Sequence, residues 1–75
     1  MQYVGVEFRT GPNRVYAYEW DGEAKLEIGQ RVVVPANYMN PIPSFADVKV
    51  VYQGRESIPY EGQLARIMGL VMEDG

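Results

Sequence analysis

Side chains that commonly carry out catalysis are scarce in this chain. It contains no histidine and no cysteine, the residue types that most often supply a general base and a thiol nucleophile. Ser44 and Ser57 are the only serines, and both lie near prolines in predicted loops, with no basic residue placed to activate either hydroxyl. Serines in such a context usually bond to their own backbone. The sequence therefore predicts a protein that is not an enzyme.

The densest group of carboxylates follows the second predicted strand and comprises Glu19, Asp21, Glu23 and Glu27. Paired carboxylates can hydrolyse glycosides, but a 75-residue chain is too small to surround a sugar. The spacing also lacks the Asp-x-Asp-x-Asp-Gly order of a calcium loop, and the glycines are too dispersed to cradle a phosphate. We expect a solvated acidic turn, with no metal and no cofactor.

Aromatic residues are the most informative group. Tyr16, Tyr18 and Trp20 recur at every second position, which places them on one face of a strand. In a small barrel such a face is either a wall of the core or an exposed platform for a proline-rich peptide or a nucleic-acid base. The need of a short chain for bulky core residues favours the core for Trp20, while both alternatives stay open for Tyr16 and Tyr18.

A proline-containing segment, residues 36–45, carries more large apolar side chains than is usual for a solvent-exposed loop that packs against nothing. It either folds over one end of the barrel or is presented to a partner, and its prolines reduce the entropy lost on ordering. Together with two tyrosines of the aromatic strand, it gives a predicted partner-binding surface. The residues of that surface are Tyr16, Tyr18, Tyr38, Met39, Ile42 and Phe45.

Charge separates the two kinds of partner. The net charge is −3, whereas nucleic-acid binders usually present a basic face. We therefore expect a protein partner, and nucleic-acid binding is the alternative that the net charge disfavours. A homo-oligomeric structural protein is a third alternative, because an exposed strand edge can pair with its copy. The basic residues on which nucleic-acid binding would depend are Arg31, Lys49, Arg55 and Arg66.

The elements that must position these residues are strands, because the hydrophobic period is two and not 3.6. The fourth predicted strand is the plainest, with the even-numbered residues of 46–52 pointing inward and Asp47 and Lys49 outward. Residues 64–68 also fit one helical turn, but Gly69 and the alternation around it favour a last strand. The predicted strands are Tyr3–Arg9, Arg14–Trp20, Arg31–Pro35, Ala46–Tyr52 and Ile67–Met72.

Five short strands separated by Gly and Pro turns predict an all-β fold, a small five-stranded antiparallel barrel. The size favours an SH3-like barrel, with an OB-like barrel as the runner-up because OB domains are usually longer and carry a helix. We expect residues 1–75 to form a single domain. A core of this size is small, and without disulfides or zinc ligands, docking or self-association is the remaining way to bury more surface.

Targeting signals are not evident in the sequence. The residues before Glu7 lack the basic and apolar regions of a signal peptide. No uncharged apolar stretch approaches the roughly 20 residues that a bilayer requires. We expect a cytoplasmic protein that does not associate with membranes.

Two resemblances rest on the run in which a Tyr-x-Tyr strand is followed by Leu-x-Ile-Gly-x-x-Val-x-Val-Pro. Residues 14–35 resemble the N-terminal DNA-binding domain of the primosomal replication-restart helicase. Residues 14–72 resemble small proteins of unknown function, with an SH3-like barrel, that are encoded by phages of actinobacteria. In the second resemblance the matching residues are Val32, Val34, Pro35, Pro41, Pro43, Val48–Val51, Gly54, Ile67, Gly69 and Val71.

The two resemblances imply different functions. The phage resemblance implies a viral accessory protein in the host cytoplasm, and the helicase resemblance implies nucleic-acid binding. The acidic net charge and the apolar residues of segment 36–45 favour the phage resemblance. We expect a non-enzymatic protein-interaction module.

Overall fold

The computed structural model describes residues 1–8, 14–36, 41–59 and 62–71. Within these ranges the regular structure is β-sheet apart from a single 3-10 turn at Arg55–Ser57, and no helix is long and apolar enough to cross a membrane. The all-β prediction is therefore confirmed. The strands are β1 Gln2–Phe8, β2 Val15–Trp20, β3 Arg31–Val34, β4 Ser44–Tyr52, β5 Ala65–Arg66 and β6 Gly69–Leu70.

All six described strands belong to one sheet, in the order β5-β2-β1-β4-β3-β6. β1 pairs antiparallel with both β2 and β4, and β3 pairs antiparallel with β4. The sheet is mixed, because β5 is parallel to β2. The structure thus departs from the five antiparallel strands predicted. Of the last predicted strand only Gly69–Leu70 is formed, as β6, and an additional short strand, β5, precedes it and is parallel to its neighbour β2.

The two edge strands of the sheet, β5 and β6, are separated in the chain by only Ile67 and Met68. Three peptide units span at most about 11 Å, whereas the edges of a flat six-stranded sheet would be about 24 Å apart. The sheet therefore curls into a barrel-like wall. The Ile67 N–H donates to Glu19 O of β2 and the Met68 N–H donates to Val33 O of β3, both at 2.8 Å. We call residues 65–71 the closing segment, because they bond to β2 on one side and to β3 on the other.

The main core lies inside this curl, and the alternation of the strands builds it. Val4 and Val6 of β1 are buried, as are Val32 and Val34 of β3. Residues at every second position of a strand share a face, and β-branched side chains pack well on a pleated surface. The other buried members of the core are Tyr18, Leu26, Ala46, Val48 and Ile67.

β4 changes faces partway along its length. Gly5 of β1 pairs with Val50, but the next residue of β1 pairs with Val48, so Lys49 is the extra residue of a β-bulge. A shift of one residue reverses which face each side chain occupies. Val50 and Tyr52 therefore lie on the outer face, and the inward orientation predicted for them is wrong. Unbroken alternation holds only up to Val48.

A second, smaller apolar cluster lies on the outer face of the sheet. The connection between β4 and β5 folds back over the β1–β2 hairpin and buries Ile58 and Leu64 against Ala17. Tyr3 and Tyr52, which are paired across β1 and β4, pack against this cluster. The cluster covers part of the outer face over β1 and β2, whereas Phe45, at the start of β4, is exposed.

The connection between β2 and β3 is tied to the start of β1 and the end of β2. The Gln2 side-chain amide donates to Ala24 O at 2.8 Å, and the Trp20 indole N–H donates to the same oxygen at 2.9 Å. In return, the Leu26 N–H donates to Gln2 Oε1 at 2.9 Å. These bonds direct Leu26 into the core, although the connection has no regular structure.

Candidate protein-interaction surface

The alternating aromatic residues of β2 face the core. Tyr18 is 6% exposed and belongs to the main core. Tyr16 and Trp20 are half-buried against the same core, and the Tyr16 ring meets Phe8 edge-on, with centroids 5.5 Å apart and an interplanar angle of 68°. Of the two alternatives left open by the sequence, the structure thus favours the core wall. Tyr18 has almost no surface to offer to a partner.

The remaining residues of the predicted surface come from the proline-containing segment. Tyr38 and Met39 lie outside the described residues. Ile42 is 66% exposed and Phe45 is 57% exposed. Phe45 is the second residue of β4, so its orientation is set by the sheet. The exposed aromatic group is therefore held on a strand.

Phe45 begins a row of residues that crosses three strands on the outer face. Its neighbour Ala46 is in the core, so alternation directs Phe45 outward. Phe45 pairs with Val33 of β3, and Val33 pairs with Gly69 of β6. No heavy atom lies within 4 Å of the position that a Cβ of Gly69 would take, so the outer face is open at the β6 end of the row. We call Phe45, Val33 and Gly69 the apolar row.

The next row of the outer face is charged. Arg31, Asp47 and Glu7 are paired across β3, β4 and β1, and they share the outward face because the residues flanking them in each strand point to the core. Arg31 Nε lies 3.6 Å from Asp47 Oδ1. Within the described ranges, Glu7 has no ion-pair partner. This charged row therefore carries one negative charge in excess.

The acidic turn is partly neutralised by the closing segment. Arg66 Nη2 lies 3.2 Å from Glu19 Oε1, and Arg66 Nη1 lies 3.2 Å from Asp21 Oδ2. These contacts tie β5 to the end of β2, beside their parallel pairing. In the part of the chain that the structure describes, no three acidic residues lie close enough together to hold a metal ion.

The basic residues considered for nucleic-acid binding have local partners. Arg31 pairs with an aspartate of the charged row, and Arg66 pairs with two carboxylates of the acidic turn. Arg55 Nη2 donates to Gly62 O at 2.6 Å and so orders the connection before β5. Lys49 is exposed at the β-bulge. Each arginine of the set thus faces an oxygen acceptor within the protein, which weakens the case for a common phosphate-binding strip.

Sequence reasoning did not assign three residues of this surface. The alternation around Glu7 places it on the face opposite Val6, but nothing in the sequence indicates that it meets β4. Val33 lies in the middle of an unbroken valine run, whose two faces look alike in the sequence. Gly69 did carry a signal, since a glycine inside a strand often leaves space for a close approach. The pairing register was the missing information in each case.

Comparison of the chain with known proteins returns no relative. No protein-family model, no curated protein sequence and no solved structure matches it. The resemblances to phage proteins and to the helicase domain therefore stay predictions. The inference of function rests on the fold and on the two rows of the outer face.

Proposed function

We propose that this protein is a non-enzymatic protein-interaction module that docks through the exposed part of its outer sheet face. The observation that carries the proposal is the position of Phe45, whose ring is more than half exposed on a strand and lies beside Val33. Aromatic residues held on rigid elements are common anchors of interfaces, because they bury a large area at a small entropic cost. Ile42, two residues before β4, is also exposed.

The fold supports this proposal through its architecture. We propose that the barrel is of the SH3-like kind, with the OB-like barrel as the alternative. If β5 and β6 are counted as one interrupted strand, the closing segment completes a ring of five strands, which supports a small closed barrel. Small barrels often use an outer face or a loop end for recognition and keep their interior filled with side chains. An accessory role in a phage-infected cytoplasm is the biological setting that the sequence resemblance suggests.

The test compares two exposed apolar residues. Phe45→Ala is expected to weaken capture of partners by at least about tenfold, as truncation of an aromatic anchor does. Ile28→Ala is the matched control, because Ile28 is 69% exposed in the turn before β3 and belongs to neither row. Tagged wild-type and variant proteins would be immobilised and exposed to a lysate of the source cells, and the retained proteins quantified by mass spectrometry.

Two results bear on the proposal directly. Circular dichroism and Trp20 fluorescence should show that both variants fold. If Phe45→Ala folds and retains every partner that the wild-type protein captures, the docking proposal is wrong. If the captured proteins disappear after nuclease treatment and the binding falls steeply with salt, the helicase-like alternative is correct instead.

A further inference from the structure

We propose that the Asp21–Gly22 peptide is a modification site, at which the folded protein forms isoaspartate through a succinimide and Arg66 restrains the reaction. This inference goes beyond the proposed interaction function and does not depend on it. Asp-Gly is the dipeptide in which the rearrangement meets the least steric hindrance, because glycine has no side chain beside the attacking nitrogen. Asp21 and Gly22 come directly after β2, where the chain leaves the sheet.

Both reacting groups are accessible at this point of the chain. The Asp21 side chain is 52% exposed, and residues 21–30 form no strand or helix. No described residue accepts a hydrogen bond from the Gly22 N–H, so the nitrogen that attacks is not held in a ladder. Asp47 provides the contrast, because it lies inside β4 and is followed by the buried, β-branched Val48.

The reaction conserves the atoms of the chain. The backbone nitrogen of Gly22 attacks Cγ of Asp21 and loses its proton, and one carboxyl oxygen leaves as water, which closes the succinimide ring. Water then opens the ring at one of its two carbonyl carbons. Attack at Cγ restores aspartate. Attack at the main-chain carbonyl carbon leaves the chain running through Cγ, and this product is isoaspartate.

Arg66 holds the reacting carboxylate in another position. Arg66 Nη1 donates to Asp21 Oδ2 at 3.2 Å, which directs the carboxylate towards β5. The carboxylate has to leave the guanidinium before it can meet the Gly22 nitrogen and lose an oxygen as water. Both side chains of the pair are more than half exposed, and such a pair is weak. The restraint therefore slows the reaction but does not prevent it.

The packing of Trp20 explains why the reactive dipeptide contains glycine. A Cβ at Gly22 would overlap Trp20 Cζ2 and would lie 2.5 Å from Trp20 Cε2. The indole ring is itself held, because its N–H donates to Ala24 O at 2.9 Å. A larger residue at position 22 would displace the ring. The fold thus requires the residue type that makes this peptide reactive.

The product would loosen the contact between the acidic turn and the closing segment. In isoaspartate the carboxylate is attached directly to Cα, and the main chain is longer by one carbon. The bond from Arg66 to Asp21 is then lost, and Arg66 keeps its contact with Glu19. Since the Ile67 N–H donates to Glu19 O beside these ion pairs, we expect the closing segment to open more often.

The experiment incubates the full chain in H2¹⁸O at neutral pH for days to weeks, followed by tryptic digestion in ordinary water and mass spectrometry. Each passage through the succinimide introduces one ¹⁸O atom, and fragment ions assign the label to a residue. We expect label and isoaspartate at Asp21 and neither at Asp47. The second Asp-Gly pair of the sequence, Asp74–Gly75, is the internal reference. The three peptides to be compared are residues 15–25, 32–49 and 67–75.

Three variants localise the chemistry. Arg66→Gln should raise the labelling rate at Asp21, relative to Asp74, by about twofold to fivefold, the range for loss of one exposed ion pair. Lys49→Gln is the matched control, because it removes the same charge from the exposed β-bulge and should leave the rate unchanged. Asp21→Glu keeps the charge and should abolish the label in peptide 15–25, because the longer side chain has to close a larger ring.

Several outcomes would overturn the inference. A chain labelled at Asp74 but not at Asp21 would reject the modification site, and equal rates in the wild-type protein and Arg66→Gln would reject the restraint. Low urea concentrations that destabilise the wild-type protein as much as Arg66→Gln does should leave the rate unchanged. A rate that follows the unfolded fraction would assign the reaction to the unfolded chain instead.

The structural consequence is measured on the isolated isoaspartate form. Hydrogen exchange at the Ile67 amide should accelerate by up to about fivefold, which corresponds to the loss of the same ion pair. Exchange at the Val48 amide, which bonds to Gln30 O on β4, is the comparison and should change less. Equal protection of Ile67 in the aspartate and isoaspartate forms would reject the loosening of the closing segment.

Discussion

Gly5 lies in the middle of β1 at a point where two other elements approach its backbone. A Cβ on this residue would overlap Val15 Cγ1 and would lie 3.2 Å from Tyr52 Oη and 3.4 Å from Val50 Cβ. All three side chains are on the outer face, which the bulge in β4 supplies with Val50 and Tyr52. The absence of a side chain at Gly5 is therefore what allows the outer side chains of three strands to close over the sheet.

Substitution at this position should lower the free energy of unfolding. Gly5→Ala is expected to cost about 1–3 kcal/mol, as overpacking of a tight site usually does. Gly69→Ala provides the control, since a Cβ there meets no atom within 4 Å and alanine has the lower backbone entropy when unfolded. Urea denaturation monitored by Trp20 fluorescence would give both values.

A second substitution separates overlap from backbone effects. Val15→Ala removes the Cγ1 atom that a Cβ of Gly5 would overlap. The double variant Gly5→Ala/Val15→Ala should therefore be more stable than the sum of the two single losses predicts. Strict additivity would show that the overlap with Val15 is not the cause.

The closing segment joins β2 to β3, but its two strands are short. β5 and β6 are each two residues long, and both residues of β5 are exposed. Between them, Ile67 is buried in the main core, while Leu64, just before β5, is buried in the outer cluster. The segment is thus held by one side chain in each apolar cluster, by short ladders and by the ion pairs of Arg66.

The ion pairs of Arg66 should contribute little to the free energy of unfolding, and their contribution should depend on the salt concentration. Arg66 is 54% exposed, so Arg66→Gln is expected to lower the free energy of unfolding by no more than about 1 kcal/mol. The loss should shrink as added salt screens the pairs. Lys49→Gln, which removes a positive charge from the bulge, is the comparison in the same urea titrations at low and high salt. A loss that is unchanged by salt would point to packing of the arginine stem instead.

At the level of elements, the sequence indicates where the strands lie but not which strands pair with each other. Period-two patterning locates β1, β2 and β4 within one or two residues, because half-burial imposes alternation, and the β-branched run before Pro35 locates β3. The bulge at Lys49 could not be predicted, since an extra residue leaves a valine run looking regular. Nor could the parallel pairing of β5 with β2, which joins segments more than 40 residues apart.

The candidate site was also predictable only in part, because its residues come together through strand pairing. Ile42 and Phe45 are exposed, and their role in binding a partner stays a prediction. Tyr18 is buried instead, and the alternation that groups the three aromatic residues of β2 cannot say which face is the core. Glu7 and Gly69 enter the surface only through the pairing register.

For the whole molecule, the curling of the sheet and the formation of the core depend on the same residue. Ile67 is buried at the point where the chain crosses from β2 to β3. Ile67→Val should cost about 0.5–1.5 kcal/mol and Ile67→Ala about 2–5 kcal/mol. A 75-residue domain has a total stability of roughly 4–11 kcal/mol, so the alanine variant should lose a large share of it.

Hydrogen exchange would show where the stability is lost. In the valine variant, exchange at the Met68 and Val71 amides, which bond to β3, should accelerate more than exchange in β1. Such a result means that the closing segment opens before the rest of the sheet. Uniform acceleration of all amides would mean that the protein unfolds only as a whole.

Because the closing segment follows the other strands in the chain, it is also the last of the described elements to leave the ribosome. At synthesis rates of about 5–20 residues per second, β1 to β4 are made on the order of seconds before residues 65–71. Until residues 65–71 have left the exit tunnel, the sheet formed by the preceding strands has two open edges and an uncovered valine-rich face. We expect this intermediate to be a substrate for chaperones, and a released chain truncated before Ile67 should be cut readily by proteases.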